Sequence, residues 1–268
     1  MISHPPTSAL LLSFAFAVVP VLVGYAVRAW YAWAWRRDTE REARRAPATS
    51  APRPRLHAPR GRWAVIFPAN IIAGGLLGLV SGAWLSQGFV FMAAGPLGTL
   101  LGHEVAQRAL IEPFFEEIGK ALPLLLLYPT RYVEDLLDGV LFGAAAGLGF
   151  AAVENLLYFT ATLSLDGVAA WWDQVQLRVV LGTMVHGISS AMVGAYLGAA
   201  KSHGARAVRW AAPVAALSAG VFLHGLWNGL EIEADAGSSA EHASAAILLL
   251  LGCGVGILGV FRRAIRLR

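Results

Sequence analysis

Hydrophobic residues in this chain do not alternate with polar ones at the period of a strand or of a surface helix; they fill long, nearly unbroken blocks. Blocks long enough to cross a bilayer, each needing about 20 residues, lie at 8–35, 63–85, 109–128, 136–163, 177–200, 208–230 and 243–261. The pattern predicts an all-α fold, a polytopic membrane helical bundle of about seven transmembrane helices. A further apolar run, GFVFMAAGPLGTLL at 88–101, is shorter than a span and is interrupted at Gly95 and Pro96, so it reads as a re-entrant or interfacial segment. The first block is expected to be an uncleaved anchor, because no positive charge precedes it and its apolar run continues well past the small-residue AFA at 15–17.

Small residues recur four apart, at Gly74, Gly78 and Gly82, at Gly143 and Gly147, at Gly194 and Gly198, and at Gly252 and Gly256. That spacing lets helix backbones approach closely, and packing within the bundle is its expected use. Trp30, Trp33, Trp35, Trp63, Trp171, Trp172 and Trp210 fall near block ends, where an interfacial aromatic belt would place them.

Composition agrees with the pattern: 57% of residues are hydrophobic and 14% charged, with mean hydropathy +0.59, which excludes an ordinary soluble domain. The net charge of +4 does not point to nucleic acid, because the basic residues gather in the segments between blocks. Nine arginines lie within 36–62, the turn at 201–209 is basic, and so is the tail RRAIRLR, whereas 231–242 is acidic. Positive residues stay on the cytoplasmic side, so the N-terminus is expected outside and the C-terminus inside. The organisation is then an N-terminal transmembrane helix at 1–35, a basic cytoplasmic linker at 36–62, a membrane-embedded core at 63–262 and a basic cytoplasmic tail at 263–268. The single cysteine, Cys253, excludes an intrachain disulfide and a thiolate metal cluster.

Ionisable residues inside such blocks are costly and tend to be functional. In an alternating topology Glu116 and Glu117 lie about 8 residues from the outer end of the third block, roughly 12 Å deep at 1.5 Å per residue. Glu154 and Asn155 reach a similar depth on the fourth, His186 on the fifth and His224 on the sixth. Four helices therefore aim carboxylates and imidazoles at one layer. Such groups can hold a divalent metal with a position open for water, while a further carboxylate acts as general base. That is the chemistry of amide hydrolysis. Lys120 sits at i+4 from Glu116 and i+3 from Glu117, where it can neutralise one carboxylate while the other works. In HGLWN, His224 and Asn228 share a helix face, so the amide can bond a ring nitrogen or a substrate carbonyl.

At these residues the sequence resembles the PrsW family of polytopic membrane proteases, distantly related to the CAAX-processing and bacteriocin-processing membrane proteases. The matching pieces are EEIGK at 116–120, DGVLFGAAAGLGFAAVENLLY at 138–158, Arg178 followed by HGISSAMVGAYLG at 186–198, and FLHGLWNG at 222–229. The resemblance implies an endopeptidase in a bacterial cytoplasmic membrane, acting on membrane-anchored proteins such as anti-sigma factors, with the paired glutamates and a histidine at its core. Two histidines and carboxylates suit zinc, although no HExxH helix is present, and a water activated by glutamate and histidine without metal also fits the pattern. The assignment drawn from both readings makes Glu154, His186 and His224 the metal ligands and Glu116 the base. Glu117 is a ligand or transition-state partner whose place Glu116 can exchange, Lys120 the charge partner and Asn228 a positioning group. Two other classes remain: a proton or cation transporter, since Glu and His rows also make relays, and an inert substrate-binding relative of the same fold. Against transport, the groups form one layer and not a ladder across the bilayer.

Overall fold

The structure is a computed structural model of the 268-residue chain and describes residues 6–45, 63–86 and 95–235, together with Phe89 and scattered positions between 244 and 259. The described residues are helical throughout, apart from short turns. Helix α1 spans Thr7–Arg45. Helix α2, Trp63–Leu79, runs on into a π-helical turn at Val80–Leu85. A short helix α3, Pro96–Leu101, ends at Gly102, whose φ of +87° is a conformation open to glycine. A second π-helical turn, Val105–Ile111, leads into α4, Glu112–Leu127, which carries Pro113 in its first turn.

Helix α5, Leu136–Leu165, starts on a side-chain cap: Asp135 accepts from the backbone N–H groups of Leu137 at 2.8 Å and Asp138 at 3.2 Å. It ends where Gly167, at φ +87°, redirects the chain into α6, Gly167–Leu177. A third π-helical turn, Arg178–Gly182, joins α6 to α7, Thr183–Lys201. Helix α8 covers Arg206–Asp235.

Helix α5 is the centre of the bundle, mostly buried along its length, whereas α1 is largely exposed. It packs most extensively on α7, then on α2 and α1, while α4 lies against α2 and α8. The glycine spacing explains the α5–α7 seam. A Cβ on Gly139, Gly143 or Gly147 would overlap the backbone carbonyls of Gly194, Ser190 and His186 respectively, so only hydrogen fits there. On the other side Gly74 meets Ala146, and Gly78 meets Phe150 and Lys120. Gly252 and Gly256 have nothing within 4 Å among the described residues. One end of the bundle is sealed by an apolar core that includes Leu124, Val133, Leu137, Leu141, Phe142 and Leu197.

Among the described residues, five helical stretches are long and apolar enough to cross a membrane: Thr7–Trp30, Ala64–Ala83, Leu136–Leu165, Gly167–Lys201 and Arg206–Ile232. They match five of the seven blocks. The block at 109–128 forms a helix too, but Glu112, Glu116, Glu117 and Lys120 make α4 too charged to qualify by composition. The block at 243–261 lies largely outside the described residues, and so do the linker at 46–62 and much of the 88–101 segment. The fifth block is longer than its apolar pattern suggested, because α6 extends it over GVAAWWDQVQL. Trp171 departs from the belt: it is buried, and its indole N–H donates to Ser13 Oγ of α1 at 2.9 Å, whereas Trp172 and Trp210 are exposed.

Candidate active site

Opposite the apolar core, α4, α5, α7 and α8 enclose a polar cluster. Glu117, fully buried, is its hub. Its Oε1 lies 2.6 Å from Lys120 Nζ and 3.0 Å from His224 Nδ1, and it accepts from Ser189 Oγ at 2.9 Å. Lys120 Nζ also sits 3.2 Å from His186 Nδ1 and 3.4 Å from His224 Nδ1, with the Phe150 ring 4.5 Å away. Both imidazoles therefore turn their Nδ1 edge to the ammonium and keep Nε2 for the other side. Of the two carboxylates within helical reach of Lys120, Glu117 takes it; Glu116 Oε2 is 3.9 Å away.

Glu116 is differently placed. Its Oε2 is buried, has no hydrogen-bond partner, and lies 3.7 Å from His224 Nε2. Gly82, in the π-helical turn after α2, leaves room for this side chain. Glu154, from α5, accepts from the Arg178 guanidinium and lies 2.7 Å from His186 Nε2. Arg178 is itself fixed by Asn155 Oδ1 at 3.3 Å and by the Tyr158 ring at 3.8 Å. The rings of His186 and His224 meet edge-on at 4.9 Å.

Part of this cluster borders a cavity of about 150 Å³, lined by Glu116, Glu154, Arg178, His186, His224 and Asn228, with Arg108, Glu112, Tyr158 and Glu231 around them. All three π-helical turns adjoin the cluster: one precedes α4, one precedes His186, and one carries Gly82. Such turns re-aim side chains without ending the helix.

Every predicted site residue lies in or beside this cluster. Glu116, Glu117, Lys120, Glu154, His186 and His224 converge; Asn228 lies one turn from His224 and donates from Nδ2 to the Arg108 carbonyl at 2.8 Å. Among the described residues, the donors closest to a metal-ligand arrangement differ from the expected set in one member. One ligand atom from each of Glu116, His186 and His224 lies within 4.8 Å of the others, with Glu116 where Glu154 was expected. Zinc bonds of ~2.0–2.2 Å need ligand atoms roughly 3.4 Å apart, so a modest closure completes the triad. The unpartnered, buried Glu116 Oε2 is the atom such an ion would satisfy, and the residues present fit a divalent metal.

Three participants were not singled out from the sequence. Ser189 lies at i+3 from His186, on the face that carries the imidazole, so helical spacing marks it. Arg108 and Glu231, a 3.9 Å ion pair at the cavity rim, sit at helix ends, where charged residues are ordinary and give no signal.

Fold and cluster together define a polytopic helical membrane protein with a buried Glu/His/Lys centre. The family model described as PrsW family intramembrane metalloprotease matches residues 62–254, and the chain belongs to that family. It is 31% identical over 150 residues to Protease PrsW of Halalkalibacterium halodurans, covering 55% of this chain and 60% of that protein. It is 32% identical over 99 residues to Protease PrsW of Bacillus subtilis, covering 36% of this chain and 42% of the relative. It is 35% identical over 103 residues to Protease PrsW of Shouchella clausii, covering 37% and 43%. The chain thus spans less than two thirds of the length of each. No solved structure matches it.

Proposed function

We propose that this protein is a membrane-embedded endopeptidase that hydrolyses a peptide bond of a membrane-anchored protein near the outer face of a bacterial cytoplasmic membrane. The observation that carries this reading is the convergence of Glu116, Glu154, His186 and His224, from four helices, on one polar cavity, with Glu117 and Lys120 packed against the Nδ1 edges of the two imidazoles. The apolar core that closes the other end of the bundle speaks against an ion pathway.

Glu116, His186 and His224 would hold the metal, zinc being the ion best matched to this donor set. The chemistry such an ion supplies when bound is Lewis-acid polarisation of a water or carbonyl oxygen. Glu117 orients His224 through the 3.0 Å contact at Nδ1, and Lys120 balances the Glu117 charge. Glu154, on the cavity wall, would take the proton of the attacking water and pass it to the leaving amine. Asn228, on the same wall, would position the substrate backbone. In this reading Glu116 and Glu154 exchange the parts that sequence alone assigned them, because Glu116 has the unsatisfied oxygen and Glu154 already has Arg178. A single-span regulatory protein such as an anti-sigma factor is the proposed substrate class, with N-terminus outside and C-terminus inside as the orientation.

The test is cleavage of a single-span substrate by the purified full chain in liposomes. Glu116→Ala and His224→Ala are expected to lower the cleavage rate at least 100-fold while leaving helix content unchanged. Wild-type protein that cuts no tethered substrate, with neither variant altering proteolysis in cells, overturns the reading.

A further inference from the structure

Hydrolysis of an amide gains most from a hydrogen-bond donor aimed at the carbonyl oxygen, where negative charge gathers as water adds to the carbon. Besides the two imidazoles, the donor side chains that line the cavity and are free to be weighed for this task are Arg108, Tyr158, Gln174, Arg178 and Asn228. Three of them are committed. Arg178 donates to Glu154, and to Asn155 Oδ1 at 3.3 Å. Arg108 donates to Glu104 at 2.8 Å and faces Glu231 at the rim. Asn228 donates through Nδ2 to the Arg108 carbonyl at 2.8 Å. The Tyr158 hydroxyl and the Gln174 side-chain amide make no hydrogen bond among the described residues.

Of these two, Tyr158 is the one within reach of the cluster. Gln174 stands twelve residues before His186, about 18 Å along the α6–α7 stretch at 1.5 Å per residue. Tyr158 stands on α5 one turn after Glu154, and a long side chain in a helix leans back towards the helix N-terminus, over residue i−4. Its ring lies 3.8 Å from the Arg178 guanidinium carbon, and the same guanidinium holds Glu154. The ring is thus clamped beside the carboxylate, and the hydroxyl is the free polar atom of the side chain. A tyrosine of the interfacial belt would be as exposed as this one, at 42%, but it would face lipid and headgroups, whereas Tyr158 lines the cavity.

We propose that Tyr158 is a catalytic residue whose hydroxyl donates a hydrogen bond to the carbonyl oxygen of the scissile peptide. The proposal rests on the endopeptidase reading given under Proposed function. As the water oxygen bonds to the carbonyl carbon, one water proton passes to Glu154 and the C=O π pair moves onto the oxygen, where Tyr158 stabilises it without giving up its own proton. On collapse the C–N bond breaks and the proton held by Glu154 goes to the leaving nitrogen. Because the bond from Tyr158 strengthens as the oxygen gains charge, it acts on kcat more than on binding.

Tyr158→Phe deletes the hydroxyl and keeps the ring over Arg178, so it separates the donor from the packing. With the purified full chain in liposomes and a single-span substrate, kcat is expected to fall about 100-fold while KM stays within about threefold of wild type. A second readout needs no turnover. A peptide phosphinate, which carries the tetrahedral oxygens of the adduct, is expected to bind the variant about 30-fold more weakly. The same peptide with its scissile amide reduced to a methylene amine lacks the carbonyl oxygen and is expected to bind both proteins alike. An unchanged kcat overturns the proposal, and so does a raised KM at constant kcat, which marks a contact made equally with the ground state. Loss of helix content in Tyr158→Phe also overturns it, because the hydroxyl would then serve a partner within the fold. Wild type that cleaves nothing overturns the endopeptidase reading and this proposal together; wild type that cleaves, with Tyr158→Phe its equal, overturns this proposal alone.

Discussion

Lys120 is enclosed on all sides: the residue is buried, and its ammonium contacts Glu117, both histidines and the Phe150 ring. Removing one partner of a buried pair leaves the other charge uncompensated, at a cost of about 3–5 kcal/mol. Lys120→Met is therefore expected to destabilise the protein by that amount in denaturant titrations in detergent. Ser189→Ala, which deletes a single hydrogen bond to the Glu117 carboxylate, should cost about 2 kcal/mol. A Lys120→Met protein as stable as wild type would mean that Glu117 needs no counter-charge. The meeting of these groups was legible because each is an ionisable residue inside an apolar block, and equal depth on antiparallel helices brings equal depths together. What lay beyond the sequence was the pairing. Lys120 reaches Glu116 and Glu117 equally well along a helix, and only the positions of Ser189 and His224 beside Glu117 decide between them. The division of labour proposed for Glu116 and Glu154 likewise turns on Arg178, which pairs with Glu154 from the start of a π-helical turn.

At the scale of elements, the α5–α7 seam carries the geometry of the site, because Glu154 and His186 stand on its two sides. A side chain at Gly143 would drive α5 away from the Ser190 carbonyl. Gly143→Val should lower stability by about 1–3 kcal/mol or more and reduce cleavage, with thermal unfolding as the measurement. Gly204, in the open turn after α7 with nothing within 4 Å, is the control: Gly204→Ala should leave both unchanged. The glycine spacing showed this seam in advance because its cause is local, a hydrogen atom needed every fourth residue along one helix face. Span boundaries were legible for a similar reason, as at Trp63, where the linker gives way to apolar residues, and Leu136, just after the Asp135 cap. The helix α6 was not, since Asp173, Gln174 and Gln176 dilute its apolar pattern. Nor were the three π-helical turns, which arise from packing between helices and have no composition of their own.

For the whole molecule, the orientation in the membrane decides which compartment meets the cavity. Helix α5 ends, and the stretch that continues into α7 begins, at Asp166 and Gly167, and the site lies towards that end; the opposite end carries the turn at Lys201 to Arg206 and the apolar core. The basic residues of that turn, together with the arginines after the membrane-spanning part of α1, favour the cytoplasm for the opposite end. Helix α1 tests the same assignment, since its 39 residues measure about 58 Å at 1.5 Å per residue, far more than the ~30 Å hydrocarbon core, and its arginine-bearing C-terminal third must project from one face. Because Cys253 is the only cysteine, Cys253→Ser provides a thiol-free background. Asp166→Cys and Gly204→Cys then report the two ends of the bundle from exposed positions. A membrane-impermeant maleimide applied to intact cells is expected to label Asp166→Cys and to reach Gly204→Cys only after permeabilisation. The reverse pattern would put the cavity on the cytoplasmic side, where a substrate's cytoplasmic segment, and not its outer one, would be cut. The positive-inside distribution makes that arrangement costly, because it would require the nine arginines of residues 36–62 to cross the bilayer.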